Sequence, residues 1–171
     1  MATESAAVEL ARASLKHFLE AGSILPVPTA LGAELQGRAG VFVSLKKQGK
    51  LRGCIGTFEP TRINIATEII YNAISAGTED PRFWPVELEE LGEITISVDI
   101  LEAPQLIDSV DELDPQKYGV IVKRGRRSGL LLPMLEGVDT IAEQIAIAKE
   151  KAGIGAKEEV ELYRFSVARY T

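Results

Sequence analysis

The residues best suited to chemistry lie in one short segment, Arg52–Thr57, which reads Arg-Gly-Cys-Ile-Gly-Thr. Its centre is Cys54, the single cysteine of the chain. In a regular strand, alternation places Arg52, Cys54 and Gly56 on one face. A guanidinium beside a thiol favours the thiolate, which is the nucleophilic form of cysteine. The segment therefore predicts a nucleophile at Cys54, with Arg52 stabilising the thiolate or binding an anionic substrate.

The same segment also permits other interpretations. A lone cysteine in an apolar strand is commonly a small buried hydrophobe, and Arg52 could simply pair with a surface carboxylate. Glycines at Gly53 and Gly56 suit a ligand that approaches the backbone closely, and Thr57 supplies a hydroxyl. Two functions stay open: a cysteine-dependent enzyme that transfers a group at an acyl or similar carbon, and a non-enzymatic module that binds a small anion, a nucleotide or a partner.

Two further segments carry residues that could bind substrate or move protons. In Asp80-Pro81-Arg82-Phe83, the Asp-Pro pair favours a fixed turn, from which Arg82 presents a planar set of donors to an anion. The structural alternative is a rigid loop held by an Asp80–Arg82 pair. Glu136 follows a predicted strand and precedes a predicted helix, where its carboxylate could act as a base or ligand.

Two basic turns form a third candidate, with two interpretations. They could provide an anion-binding rim for phosphate, nucleotide or RNA, or they could be solvated hairpin tips that resist edge-to-edge aggregation. The residues concerned are Lys46, Lys47 and Lys50 in one turn, and Lys123, Arg124, Arg126 and Arg127 in the other.

Composition excludes several classes of protein. One cysteine in 171 residues excludes an internal disulfide framework, and one histidine, His17, leaves no His/Cys metal cage, so we predict no metal site. The net charge of −6 argues against nonspecific binding to nucleic acid or an anionic membrane. The first twenty residues do not have the pattern of a signal peptide, and the cytoplasm is the expected location. We interpret His17 as a structural or surface residue.

Local patterns predict the elements that position these residues. The same order of elements occurs twice, over Val41–Gly77 and Val120–Gly153, which indicates a weak internal repeat. Each copy consists of a strand, a basic turn, a second strand, a proline, a helix and a glycine. Thr61 is the predicted cap of the first repeat's helix. Val160–Tyr170 is predicted as one final strand with a bulge, because its apolar phase shifts midway.

Hairpins separated by helices favour an antiparallel or mixed sheet with helices packed against it, which is the α+β class. The length suits a single domain over residues 1–171, and the repeat suggests that this domain folds as two related lobes.

The motifs, taken in order, resemble the AMMECR domain family. Leu51–Thr57 is similar to that family's signature, and Asp80–Phe83 and Ser97-Val98 also resemble it. The later segments resemble its bacterial branch, AmmeMemoRadiSam system protein A: Gly129–Pro133, Leu135–Thr140 and Lys151–Gly153.

This resemblance implies an α+β fold with two lobes and a cleft lined by Arg52–Thr57, in which the two chain termini share the larger lobe. It also implies two partners, a Memo-like protein and a radical S-adenosylmethionine protein. It names no reaction and no cofactor. Met134 departs from the family pattern where a polar residue is expected, which argues against a binding role there and leaves Arg52, Cys54 and Asp80 unaffected.

Overall fold

The computed structural model describes residues 3–171 and divides the chain into two compact units. The N-terminal unit runs to Ile100 and also includes Ala168–Thr171, whereas the second unit is Leu101–Val167. Each unit contains helix and a four-stranded sheet, and the described strand pairings are antiparallel. The predicted α+β class is confirmed.

The N-terminal unit holds a sheet with the strand order β2-β1-β3-β8. Its helices are α1 (Ala6–Ala21) and α2 (Ile65–Thr78), and its strands are β1 (Val41–Lys47), β2 (Lys50–Thr57), β3 (Ile94–Leu101) and β8 (Val167–Tyr170). Short 3-10 turns span Ala33–Leu35 and Leu88–Glu93.

Helix ends in this unit follow local side-chain chemistry. The Ser5 hydroxyl caps α1 by accepting a hydrogen bond from the Val8 N–H at 3.4 Å. The predicted cap of α2 at Thr61 is wrong: Asn64 accepts from the Thr67 N–H at 2.8 Å, and Ile63 is left 80% exposed. Thr61 is engaged instead by the buried carboxylate of Glu68, which accepts from its N–H and its hydroxyl.

The core of this unit lies on one face of its sheet. Alternation along β1 buries Val41, Val43 and Leu45 completely, and the apolar residues of β3 and of both helices pack into the same cluster. The side chains between them, Phe42 and Ser44 on β1, therefore point to the opposite face. That second face carries the candidate site.

The second unit has its own sheet, with the strand order β4-β7-β5-β6. Its strands are β4 (Gln105–Ile107), β5 (Gly119–Arg124), β6 (Arg127–Leu131) and β7 (Glu161–Phe165), and its helix is α3 (Ile141–Ala152). A separate apolar cluster contains the buried residues Val120, Val122, Leu131 and Ala148.

The predicted single strand over Val160–Tyr170 is wrong. The chain forms two strands, β7 and β8, which belong to different sheets and are separated at Ser166. The apolar phase changes in this segment because its two halves bury their side chains in different units.

The predicted repeat has a counterpart in packing. Gly53 on β2 lies against the carbonyl oxygen of Ala76 in α2, and Gly129 on β6 lies against that of Ala148 in α3. A Cβ atom added at either glycine would overlap the carbonyl oxygen. Each hairpin thus uses a glycine to let its own helix approach the strand backbone.

We predict that Gly53→Ala lowers the free energy of unfolding by about 1–3 kcal/mol, because the methyl group must push α2 away from β2. Urea unfolding followed by circular dichroism measures the change. Gly92→Ala is the matched control, since a Cβ there meets open space. Equal stability of the two variants would contradict this account of Gly53.

Candidate functional site

Cys54 lies on the sheet face opposite the core, at the edge strand β2. It pairs with Ser44 of β1, which in turn pairs with Ser97 of β3. The Cys54 Sγ atom is 3.2 Å from the Ser44 Oγ atom, and the cysteine is partly exposed. We call this outward-facing surface of the sheet, together with the side chains of Arg82 and Arg169, the Cys54 face.

The carboxylate of Asp80 holds the exposed edge of β2. Its Oδ2 atom accepts a hydrogen bond from the Cys54 N–H at 3.0 Å, so the amide at the sheet edge has a partner. The Asp80 side chain is only 2% exposed. Its Oδ1 atom accepts from the Arg82 N–H and Nε, both at 3.0 Å, and its Oδ2 atom from Arg82 Nη2 at 2.8 Å.

These contacts fix the protonation state of Asp80. The Arg82 guanidinium, aided by the Cys54 and Arg82 backbone N–H groups, holds the pKa of Asp80 well below its usual range despite burial. Asp80 is thus an ionised anchor with both oxygens engaged, which suits orienting Arg82 better than accepting a proton. The expected pairing of Asp80 with Arg82 is present, and it lies directly against Cys54.

A second arginine near Cys54 was not found by sequence reasoning. Arg169 of β8 binds Asp99 of β3 through Nε and Nη2, both at 2.7 Å, and the Asp99 side chain is 3% exposed. Alternation along β3 does place Asp99 on the outward face, but nothing local marks Arg169 as its partner.

Electrostatics connect both arginines to the thiol. The hydrogen bond with Asp80 raises the pKa of Arg82, and that with Asp99 raises the pKa of Arg169. In both cases the charge of an ionised Cys54 is the smallest of the causes that raise the arginine pKa.

Arg52 does not lie where a regular strand would place it. The register of β1 and β2 shifts between Leu45 and Lys46, so Arg52 has no opposing residue. Its guanidinium binds the Glu90 carboxylate at 3.1 and 3.0 Å and the Trp84 carbonyl oxygen at 2.8 Å. The Arg52 guanidinium is thus held by the segment 84–90, and a role for Arg52 beside Cys54 stays a prediction.

Packing within the protein accounts for both glycines of the segment. Gly53 is buried beneath α2, and a Cβ atom at Gly56 would overlap the ring of Phe42. The Thr57 hydroxyl accepts a hydrogen bond from the Asn72 amide at 3.2 Å, which ties it to α2. Ligand contact at Gly53, Gly56 and Thr57 stays a prediction.

Glu136 and Met134 occupy the loop after β6 in the second unit. Both are exposed, and within residues 3–171 the Glu136 carboxylate has no hydrogen bond or ion pair. Met134 has a φ of 61°, which is uncommon for a residue other than glycine. The proposed role of Glu136 as a base or ligand stays a prediction, as does the cleft.

The other candidates are engaged in surface contacts. Lys47 pairs with Glu90 and Glu93, and Arg124 and Arg127 pair with Glu158, which fits hairpin tips that are partly neutralised. His17 is half-buried, and its Nε2 atom lies 3.0 Å from the Ser23 hydroxyl, in keeping with a structural or surface residue.

Within residues 3–171, no group of three or more histidine, cysteine or acidic side chains is placed to hold a metal ion. None of the helices described there combines the length and apolar character needed to cross a bilayer.

Glu90 gives a prediction about acid stability. Hydrogen bonds from Arg52, the Glu87 N–H and Lys47 lower its pKa to about 2, from an ordinary value of 4.5. Since the folded pKa is the lower one, the ionised carboxylate stabilises the fold above pH 4.5, and this contribution is lost as the pH falls towards 2.

We therefore expect Glu90→Gln to destabilise the protein at pH 6, and the difference from wild type to shrink by about 1–2 kcal/mol at pH 3. Urea unfolding at the two pH values measures it. Glu93→Gln is the control, because Glu93 is 62% exposed and its ion-pair partner among the described residues is Lys47. A pH-independent difference for Glu90→Gln would contradict the assignment.

Several known proteins are similar to this chain over most of its length. The AMMECR1 family model matches residues 8–170. A protein of Thermotoga maritima is 52% identical over 159 residues, covering 91% of each chain. A protein of Clostridium acetobutylicum is 52% identical over 165 residues, which are 95% of this chain and 35% of that protein, so the chain spans about a third of that relative's length.

A solved structure has the same fold. The crystal structure of an uncharacterised protein from Pyrococcus horikoshii matches with a TM-score of 0.86 and 32% sequence identity, over 95% of this chain and 88% of that one. The resemblance to the AMMECR domain family is confirmed over nearly the whole length. The chain belongs to the AMMECR1 family.

Proposed function

We propose that this protein binds a small anion on the Cys54 face, between Arg82 and Arg169. The observation that carries the proposal is that two buried carboxylates, Asp80 and Asp99, each hold one arginine at the sheet that carries Cys54, and Asp80 also binds the Cys54 N–H. An arginine held in this way presents its remaining N–H groups with little loss of side-chain entropy on binding.

Both arginines keep N–H donors that their carboxylate partners do not use. Arg82 and Arg169 both use Nε and Nη2 for their carboxylates. Within the described residues, neither Nη1 atom has a hydrogen-bond partner, so each retains donors for a ligand. Carboxylates and phosphates match such paired donors in geometry and charge.

The local charge balance limits the expected affinity. The two carboxylates offset the two guanidinium groups, so the site gains its preference for anions from oriented donors more than from net charge. Binding of this kind is weakened by salt where it is exposed to solvent, and Arg82 is 56% exposed.

Cys54 itself reports on the site, because it is the only thiol in the chain. We predict that anionic iodoacetate reacts faster relative to neutral iodoacetamide in the wild type than in Arg82→Gln or Arg169→Gln. The ratio of the two alkylation rates should fall about three- to tenfold in each variant, since one nearby positive charge is lost. Mass spectrometry of the alkylated protein measures both rates.

Arg126→Gln is the control for overall charge, because Arg126 lies exposed on the hairpin turn of the second unit. Phosphate and acetate should each slow alkylation of the wild type relative to chloride at equal ionic strength. A rate ratio unchanged in both site variants, with no protection by either anion, would rule out the proposed site.

A cysteine-dependent enzyme is the second candidate, favoured by the partly exposed thiol with the Ser44 hydroxyl at 3.2 Å. A hydroxyl that donates to sulfur stabilises the thiolate. Nucleophilic attack also needs a base to take the thiol proton, and among the described residues Ser44 is the hydrogen-bond partner of the sulfur. The pH dependence of the iodoacetamide rate separates the two functions: an inflection well below about 8.5 favours catalysis, and one at or above it favours a binding module.

The family resemblance supports a role as an accessory protein in the cytoplasm, working with a Memo-like protein and a radical S-adenosylmethionine protein. We predict that the tagged protein retains at least one of them when all three are expressed together and purified without oxygen. Arg169→Gln tests whether the Cys54 face takes part, with Arg126→Gln as the matched control. Recovery of neither partner would count against the accessory role.

A further inference from the structure

The second unit contains a pocket that the proposed function does not use. Its volume is about 190 Å³, and the polar side chains of its lining belong to Glu102, Gln105, Tyr118, Arg164 and Ser166. This is smaller than the sites that hold drug-sized ligands, so it suits a molecule of only a few non-hydrogen atoms. All of these residues belong to Leu101–Val167.

Arg164 supplies a fixed positive charge to this lining. It stands on the inner strand β7, between Gln105 of β4 and Val120 of β5. Its guanidinium lies 4.4 Å from the centre of the Tyr118 ring, and its Nη1 atom donates to the Glu112 carbonyl oxygen at 2.9 Å. Stacking and hydrogen bonding together hold the group in one orientation.

One donor of Arg164 lacks a partner. The Nε atom is buried, and no acceptor for it occurs among the described residues. A buried N–H without a partner is rare in folded proteins because its desolvation is not compensated, so Arg164 keeps one donor that its neighbours do not satisfy.

Glu102 supplies the opposite charge. One of its carboxylate oxygens accepts from the Ser166 hydroxyl at 2.6 Å, which positions the group. Within residues 3–171, Glu102 and Arg164 form no ion pair with each other, although they line the same pocket. A small ligand in this pocket that carries both complementary charges can therefore contact the two residues at once.

We propose that this pocket binds a small zwitterion, with its carboxylate on Arg164 and its ammonium group on Glu102. Arginine matches a carboxylate through paired N–H donors, and a carboxylate such as Glu102 accepts readily from an ammonium group. Gln105 adds an amide that can donate or accept beside them. The ligand class is that of a free amino acid with a small side chain.

Isothermal titration of the full chain tests this with glycine, β-alanine and γ-aminobutyrate, whose charges lie at increasing separation. Acetate and methylammonium carry one charge each and serve as the single-charge probes. We expect at least one zwitterion to bind saturably and about tenfold or more tightly than either single-charge probe, a difference of about 1.4 kcal/mol. O-phosphoethanolamine tests whether a phosphate can replace the carboxylate.

Glu102→Gln should weaken zwitterion binding about tenfold or more, and Arg164→Gln should do the same. Glu102 is exposed, so its variant stays informative even where loss of the Arg164–Tyr118 stacking unfolds the other. Glu150→Gln and Arg126→Gln are the matched controls, being exposed positions of the same unit.

Two results would overturn the proposal: no saturable binding of any zwitterion up to about 10 mM, which means that only water occupies the pocket, or binding that Glu102→Gln leaves unchanged. Neither result bears on the Cys54 face, because the alkylation ratio there involves none of these residues.

Discussion

The arrangement of the Cys54 face depends on one buried carboxylate. Asp80 accepts the backbone N–H of Cys54 at the open edge of β2 and binds Arg82 at the same time. Without it, the edge amide would need water, and Arg82 would lose the contacts that fix its side chain. A buried carboxylate is costly to desolvate, and here several charge-assisted hydrogen bonds offset that cost. Asp80 therefore both satisfies the backbone at the edge of the sheet and positions a charged group on its surface.

Much of the fold could be predicted from sequence because its patterns are local. Alternation along β3 and the glycine that ends α3 depend on neighbours a few residues away, and the structure has both elements. The repeated hairpin and helix were also recognisable, since turn residues and apolar periodicity recur in the same order. The Arg52–Thr57 segment was recognisable as unusual because two glycines interrupt a strand.

The features that the sequence did not predict depend on strand register and on contacts between residues far apart in the chain. A single unpaired residue in β2, Arg52, interrupts the pairing beside Cys54, and nothing local distinguishes a bulge there from a regular strand. The Asp99–Arg169 pair joins β3 to β8, and only the order of strands in the sheet brings the two together. Alternation alone marked Asp99 as outward-facing and was silent about its partner.

The interruption at Ser166 also affects the order in which the protein can be assembled. The chain leaves the N-terminal unit after Ile100 and returns at Ala168, so β8 is synthesised after the whole second unit. Until it emerges from the ribosome, β3 pairs only with β1 and its other edge is open, and Asp99 lacks the cation that compensates its burial. Domains commonly fold as their sequence becomes available during synthesis. The Cys54 face is therefore completed only after the second unit has been synthesised, which delays its full set of charges until that unit has left the ribosome.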